Sequence, residues 1–168
     1  MLLYHGSDMV VEKPQLLNRK KTLDFGVGFY TTSNRDEAEA FAGKVRERNE
    51  SLTQFVSVYQ FNPDTAIGDL NILRFISPDE KWLDFVCANR MGIYAGIPYD
   101  LIIGAVANDK VYKTLAQYER GERTRAEVLE RLKINKLYDQ YVFASNKALS
   151  LLKFEYSFVP ITSGEGDL

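Results

Sequence analysis

Hydrophobic positions along the chain change period several times, and each change marks an element. Residues 2–4 open as a short apolar strand that ends at His5-Gly6-Ser7. Residues 10–14 are extended but broken by Pro14, which has no N–H to give a central ladder. A polar, basic connection over residues 16–22 follows. The run Asp24-Phe25-Gly26-Val27-Gly28-Phe29-Tyr30-Thr31-Thr32 then reads as a tight turn feeding a strand. Asn34 caps a helix whose first turn carries Asp36 and Glu37, where acidic side chains complement the dipole. Ala38, Phe41, Ala42 and Val45 recur at helical spacing up to about Glu50.

Residues 53–61 alternate through Phe55, Val56, Val58 and Tyr59 and predict a strand stopped by Asn62-Pro63. Residues 69–75 predict a second strand, expected to pair antiparallel with the first. Ser77 as N-cap and Pro78 at the first helical position start a helix that runs to about Met91 and stops at Gly92. The unbroken apolar run over 99–107 is a buried strand. Residues 110–119 and 124–132 are amphipathic helices separated by Gly121, and Thr124 with Glu127 has capping-box spacing. A short strand over 140–143, helical turns over 146–151 and a closing strand over 154–159 complete the fold. Strands and helices mix without a regular βαβ rhythm, which predicts one α+β domain over residues 1–160. The polar, glycine-containing tail over 161–168 is expected to be loose.

Composition narrows the function classes. The chain has 168 residues, 45% hydrophobic and 26% charged, enough for one ample core. A net charge of −2 gives no reason to expect a non-specific nucleic-acid binder. The single cysteine, Cys87, excludes an internal disulfide and any multi-thiolate metal site. Its neighbours Trp82, Phe85 and Val86 mark it as a buried structural thiol. No segment approaches the ~20 apolar residues that span a bilayer, and no basic-then-apolar leader is present, so a cytoplasmic location without membrane contact is expected.

Familiar catalytic motifs fail. In Gly26-x-Gly28 the third glycine of a dinucleotide fingerprint is replaced by Thr31. There is no phosphate loop and no His-Glu-x-x-His. The lone histidine, His5, rules out most histidine-based zinc sites, and no nucleophile elbow accompanies it. What remains is His5, Tyr30 and the polar residue opening a late strand, Gln140. Tyr30 or Phe41 offers a ring for stacking, and Gly6 offers a backbone N–H and C=O with no side chain in the way. His5 and Ser7 can bond hydroxyls. The set suits a flat, polar ligand.

In order and spacing these stretches resemble the ADP-ribosyltransferase superfamily, in the branch of diphtheria toxin and the poly(ADP-ribose) polymerases. That branch carries a His…Tyr…Glu triad on three strands, with the glutamate sometimes replaced. Tyr4-His5-Gly6-Ser7, Phe25-Gly26-Val27-Gly28-Phe29-Tyr30 and Tyr138-Asp139-Gln140-Tyr141-Val142-Phe143 match its three segments. Phe41 falls where the family's nicotinamide-stacking tyrosine stands, and Ala38 where a serine usually holds the carboxamide. Over nearly its whole length the chain also resembles a bacterial family of unknown function assigned to this superfamily.

The resemblance implies split antiparallel sheets with flanking helices and NAD as substrate, with no metal. His5 would orient the ribose, Gly6 fix the carboxamide, Tyr30 and Phe41 sandwich the nicotinamide, and Ser7 and Arg19 contact the remainder. Gln140 would position the scissile ribose or the acceptor. Glutamine keeps the hydrogen bond of the usual glutamate and loses its charge, which favours mono-ADP-ribosyl transfer or NAD hydrolysis over polymer extension. The acceptor would be a macromolecule, protein or nucleic acid, and an antitoxin protein would fit as a restraining partner. The alternative is a catalytically silent module of the same fold that binds NAD, ADP-ribose or a protein.

Overall fold

The computed structural model describes residues 1–17, 23–66, 68, 70–105, 109–134 and 137–161. Its strands are β1 (Leu2–Ser7), β2 (Phe29–Thr32), β3 (Phe55–Gln60), β4 (Ile72–Arg74), β5 (Leu101–Ala105), β6 (Asp139–Phe143) and β7 (Lys153–Phe158). Its helices are α1 (Arg35–Arg48), α2 (Pro63–Ala66), α3 (Glu80–Arg90), α4 (Asp109–Glu119), α5 (Arg125–Ile134) and α6 (Asn146–Leu149). The strands form one seven-stranded sheet in the order β4-β5-β6-β2-β1-β3-β7. The fold is α+β.

The expected split into antiparallel sheets takes a different form. The strands belong to a single mixed sheet, because β4 runs parallel to β5 while the other neighbours are antiparallel. The sheet narrows in the middle, where β1 and β2 join through the one register pair Tyr4↔Thr32. Six pairs join β1 to β3 on one side of this seam, and four join β2 to β6 on the other.

Strand alternation assigns two faces. Leu3, Phe29, Tyr59, Tyr141 and Phe143 share one, which α6 and the segment after β1 cover through Ala148, Leu149, Val11 and Leu16. That segment is tied down at Val11, whose N–H donates to Ser57 Oγ at 2.9 Å and whose carbonyl accepts from the Tyr59 hydroxyl. On the opposite face, Ala38 and Ala42 of α1 pack over Tyr4, Val56 and Val58. The same face of the other half carries Tyr30, Ile102 and Val142 beneath α3, α4 and α5. Helix α1 therefore covers the β1-β3-β7 half, and the other long helices cover the β4-β5-β6-β2 half.

Two sequence expectations need correction. The strand at 69–75 does not pair with 53–61: β3 already has β1 and β7 on its two sides, so β4 crosses to the far edge and pairs with β5. Helix α3 is capped by Asp79 and not by Ser77, with Asp79 Oδ1 accepting from Trp82 N–H at 3.0 Å. Aspartate and serine cap about equally well, and Asp79 stands next to the first helical residue. The other caps follow the sequence. Asn34 Oδ1 accepts from Glu37 N–H at 2.9 Å, and Thr124 N–H donates to Glu127 Oε2 at 2.7 Å. Residues 162–168 of the expected tail lie outside the described residues.

Candidate functional site

The geometry of the seam follows from hydrogen-bond alternation. Met1 and Phe61 exchange both backbone bonds, at 2.7 Å and 2.9 Å. Along the unshifted β1–β3 register, the pairs that bond in this way recur at Leu3, His5 and Ser7. Tyr4 and Gly6 therefore turn their N–H and C=O away from β3 and toward β2. Tyr4 meets Thr32 there. Continued by one step, the ladder would set Gly6 opposite Tyr30, but the register stops at Tyr4.

His5 stands at this interruption. Its Nδ1 lies 2.7 Å from the Tyr30 carbonyl oxygen, and its ring lies 4.3 Å from that of Phe29, centroid to centroid. A carbonyl only accepts, so Nδ1 carries the proton. The oxygen that a longer ladder would offer to the Gly6 N–H is thus held by an imidazole. The two backbone groups of Gly6 face the seam beyond the last paired residues.

Gly6 also lies directly under α1. A Cβ at this position would collide with the Ala38 carbonyl oxygen and stand 2.7 Å from the Ala42 nitrogen. Close helix packing requires glycine here.

Tyr30 is placed by the turn before it. Gly26 has φ +79°, a left-handed conformation suited to glycine, and its N–H closes the turn on the Leu23 carbonyl at 2.9 Å. The Tyr30 hydroxyl donates to the Gly26 carbonyl at 2.7 Å and accepts from the Phe25 N–H at 3.1 Å. Burial pushes the phenol far above its ordinary pKa, so it remains a neutral donor. Tyr30 faces the helix-covered side, whereas the His5 ring takes the Phe29 side. The two are brought together at a main-chain carbonyl rather than side chain to side chain.

Phe41 is 47% exposed. On α1, Arg35 covers the Phe158 ring at 4.3 Å, so that flank faces β7. At about 100° per residue, Phe41 lies about 120° round the helix from Arg35, past the inward Ala38. Its ring therefore leaves on the β2 flank, beside the seam. Gln140 is buried, pairs with Thr32 and Gly104, and shares the face of Tyr30. Thr32 fixes this corner, its Oγ1 donating to the Asp139 carbonyl at 2.9 Å and accepting from the Asn34 N–H at 3.1 Å. Ser7 Oγ donates to its neighbour Asp8 at 3.4 Å. Arg19 lies outside the described residues.

A family model described as a protein of unknown function (DUF3990) matches residues 1–154. The chain belongs to this family. A search of the curated proteins and a search of the solved structures each returned no match.

In this DUF3990 chain a cavity lies away from the seam. About 850 Å³ opens between the start of α3, helix α5 and the end of β5, lined in part by Ile76, Ala105, Leu129 and Leu137. Of the strand β6 that carries Gln140, it touches Asp139. Sequence reasoning missed the residues that brace the Gly26 turn from behind. Arg90 bonds Asp24 at 3.2 Å and Glu119 at 2.6 Å, and its guanidinium lies 4.3 Å from the centroid of the Tyr112 ring. No spacing pattern links residues 24, 90 and 119, so only the fold reveals them.

Cys87 fits the buried, structural thiol expected of it, since burial pushes it up to about 11 and away from thiolate chemistry. Among the described residues no cluster of His, Cys, Asp or Glu could hold a metal ion, and no helix is long and apolar enough to cross a membrane.

Proposed function

We propose that the protein is an NAD-dependent mono-ADP-ribosyltransferase of the ADP-ribosyltransferase superfamily, using the β1/β2 seam as its nicotinamide site. The observation that carries this reading is the orientation of Gly6. A donor and an acceptor on one residue, both turned toward β2 past the last register pair, match the C=O and NH₂ of a primary carboxamide. The half-exposed Phe41 on the adjoining flank of α1 is available to stack on the attached ring. His5, which donates through Nδ1 to the Tyr30 carbonyl, would orient the ribose.

In the reaction the bond between C1′ and the nicotinamide nitrogen breaks, and its electron pair leaves with neutral nicotinamide. An acceptor nucleophile then bonds C1′ and loses its proton. Positive charge develops on the ribose between these events, as in glycoside hydrolysis. Gln140 would position the ribose through its amide without the stabilising charge of a carboxylate, which suits single transfers. The acceptor is a macromolecule, and a small enzyme of this type would be held in check by an antitoxin protein.

The test is nicotinamide release from NAD by the purified protein beside His5→Ala. Release that disappears in the variant supports cleavage at this site. NAD binding by calorimetry with no release over hours, even after addition of cell extract as a source of acceptor, would overturn the enzymatic reading. That result would select a silent NAD-binding module, which the neutral and buried Gln140 favours.

A further inference from the structure

We propose that the cavity between α3 and α5 is a docking cleft for a partner polypeptide that carries an aliphatic side chain flanked by lysine or arginine. Arg125, Leu129 and Lys133 all line it. At i, i+4 and i+8 they set one stripe of α5 along the cavity, a length of about 12 Å at 1.5 Å per residue. That is room for about four residues of extended chain. A second wall is the segment from Ile76 into the first residue of α3, Glu80. The strand ends close a third side through Ala105 and Asp139, which are register partners.

The lining has the make-up of a protein interface. Leu129 and Leu137 are half-buried and pack on the core beneath α3, α4 and α5, while Ile76 is 98% exposed. Apolar surface thus leads from the core out to the rim, where an aliphatic side chain of a partner can cover it. Around it stand six charged residues: Asp79, Glu80, Arg125, Glu130, Lys133 and Asp139. Pockets for small molecules carry only a few polar groups, whereas an apolar centre with a charged margin is typical of a protein contact.

The sign of the margin selects the partner. Both cations are satisfied within the chain. Arg125 donates twice to Asp84, at 2.6 Å and 3.0 Å, and Lys133 Nζ donates to Glu130 at 2.7 Å. Asp79 caps α3. Glu80 is left 3.8 Å from an arginine that Asp84 already holds, and Asp139 has no ion pair among the described residues. Four acidic residues against two basic ones give the wall a net negative charge. A lysine or arginine beside the aliphatic anchor is its complement, and a nucleic-acid backbone is repelled.

The test is selection of a random heptapeptide phage library on the full chain, followed by NMR titration of the selected peptides. Selected sequences are expected to place lysine or arginine beside leucine, isoleucine, valine or phenylalanine. They should shift the methyl signals of Ile76, Leu129 and Leu137. The double variant Glu80→Lys/Asp139→Lys changes two exposed positions and should bind them at least about tenfold more weakly. No enrichment, an acidic consensus, or shifts confined to other methyl groups would overturn the proposal, even if the double variant failed to fold. So would equal binding by a folded double variant. Docking here does not rest on NAD chemistry at the seam: a protein that binds such peptides and releases no nicotinamide would lose the enzymatic reading and keep the cleft.

Discussion

Arg90, the last residue of α3, reaches Asp24 through Nη1 at 3.2 Å and Glu119 through Nε at 2.6 Å, tying the turn before β2 to the end of α4. Burial raises the Asp24 pKa above its ordinary value, and the attraction of Arg90 only partly offsets this. A carboxyl whose folded pKa lies above its unfolded one favours the native state at low pH. That contribution is lost as pH rises through the folded value. Arg90→Ala should cost about 3–5 kcal/mol at pH 7, where it leaves a buried charge without its partner. The deficit should shrink toward pH 4. Urea unfolding at the two pH values checks this, and an equal deficit at both would sink it.

Tyr30→Phe isolates the turn. It removes a hydroxyl that both donates to Gly26 and accepts from Phe25. The variant should lose about 1–3 kcal/mol because it leaves buried backbone groups unpaired. At about 2–4 °C per kcal/mol for a chain of this size, calorimetry should show a clear drop in melting temperature. An unchanged melting temperature would mean that water replaces the hydroxyl.

Gly6→Ala tests the approach of α1. The new methyl meets the Ala38 carbonyl and the Ala42 nitrogen, so the helix backbone itself has to move. Overpacking of this kind costs about 1–3 kcal/mol or more. Chemical denaturation should place the loss at or above the top of that range. A loss well below it would show that α1 shifts easily.

Phe41→Ala separates stability from binding. Its ring is 47% exposed, so stability should change by no more than about 0.5 kcal/mol. If the ring stacks on nicotinamide, NAD affinity should fall by about 2- to 13-fold, the equivalent of about 0.5–1.5 kcal/mol for an aromatic pair. Calorimetric titration reads the second quantity and a melting curve the first.

Gln140→Glu asks whether the missing charge limits the reaction. Under the proposed function, nicotinamide release should rise by up to about 10²-fold. A carboxylate at this buried position should also lower the melting temperature, more at pH 7 than at pH 5, because protonation relieves the burial of charge. No gain in release at either pH would remove Gln140 from the proposed mechanism.

Much of the chain could be read in advance because its signals are local. Asn34 with Asp36 and Glu37, and Thr124 with Glu127, place helix starts that the structure repeats. Within the apolar run over 99–107, Leu101–Ala105 form the fully buried β5. Pairing is not local. The strand at residues 72–74 carries nothing that says β3 is already flanked on both sides. The interruption at Gly6 was equally hidden, since it depends on bond parity counted from Met1 and Phe61. The motifs named His5, Gly6 and Tyr30, but not that the histidine's first partner is a carbonyl of the neighbouring strand. Asp24 opened the recognised run while Arg90 gave no hint that it would brace it.

The narrow waist of the sheet does not divide the chain into separable pieces. Strands β1, β3 and β7 lie on one side of it and β2, β4, β5 and β6 on the other. In sequence order the polypeptide passes from side to side four times, after β1, β2, β3 and β6. Neither half is a continuous fragment, so neither can be expressed alone or shed by a single proteolytic cut. The narrowest line in the sheet is laced shut by its own connections, and the two halves must melt as one unit.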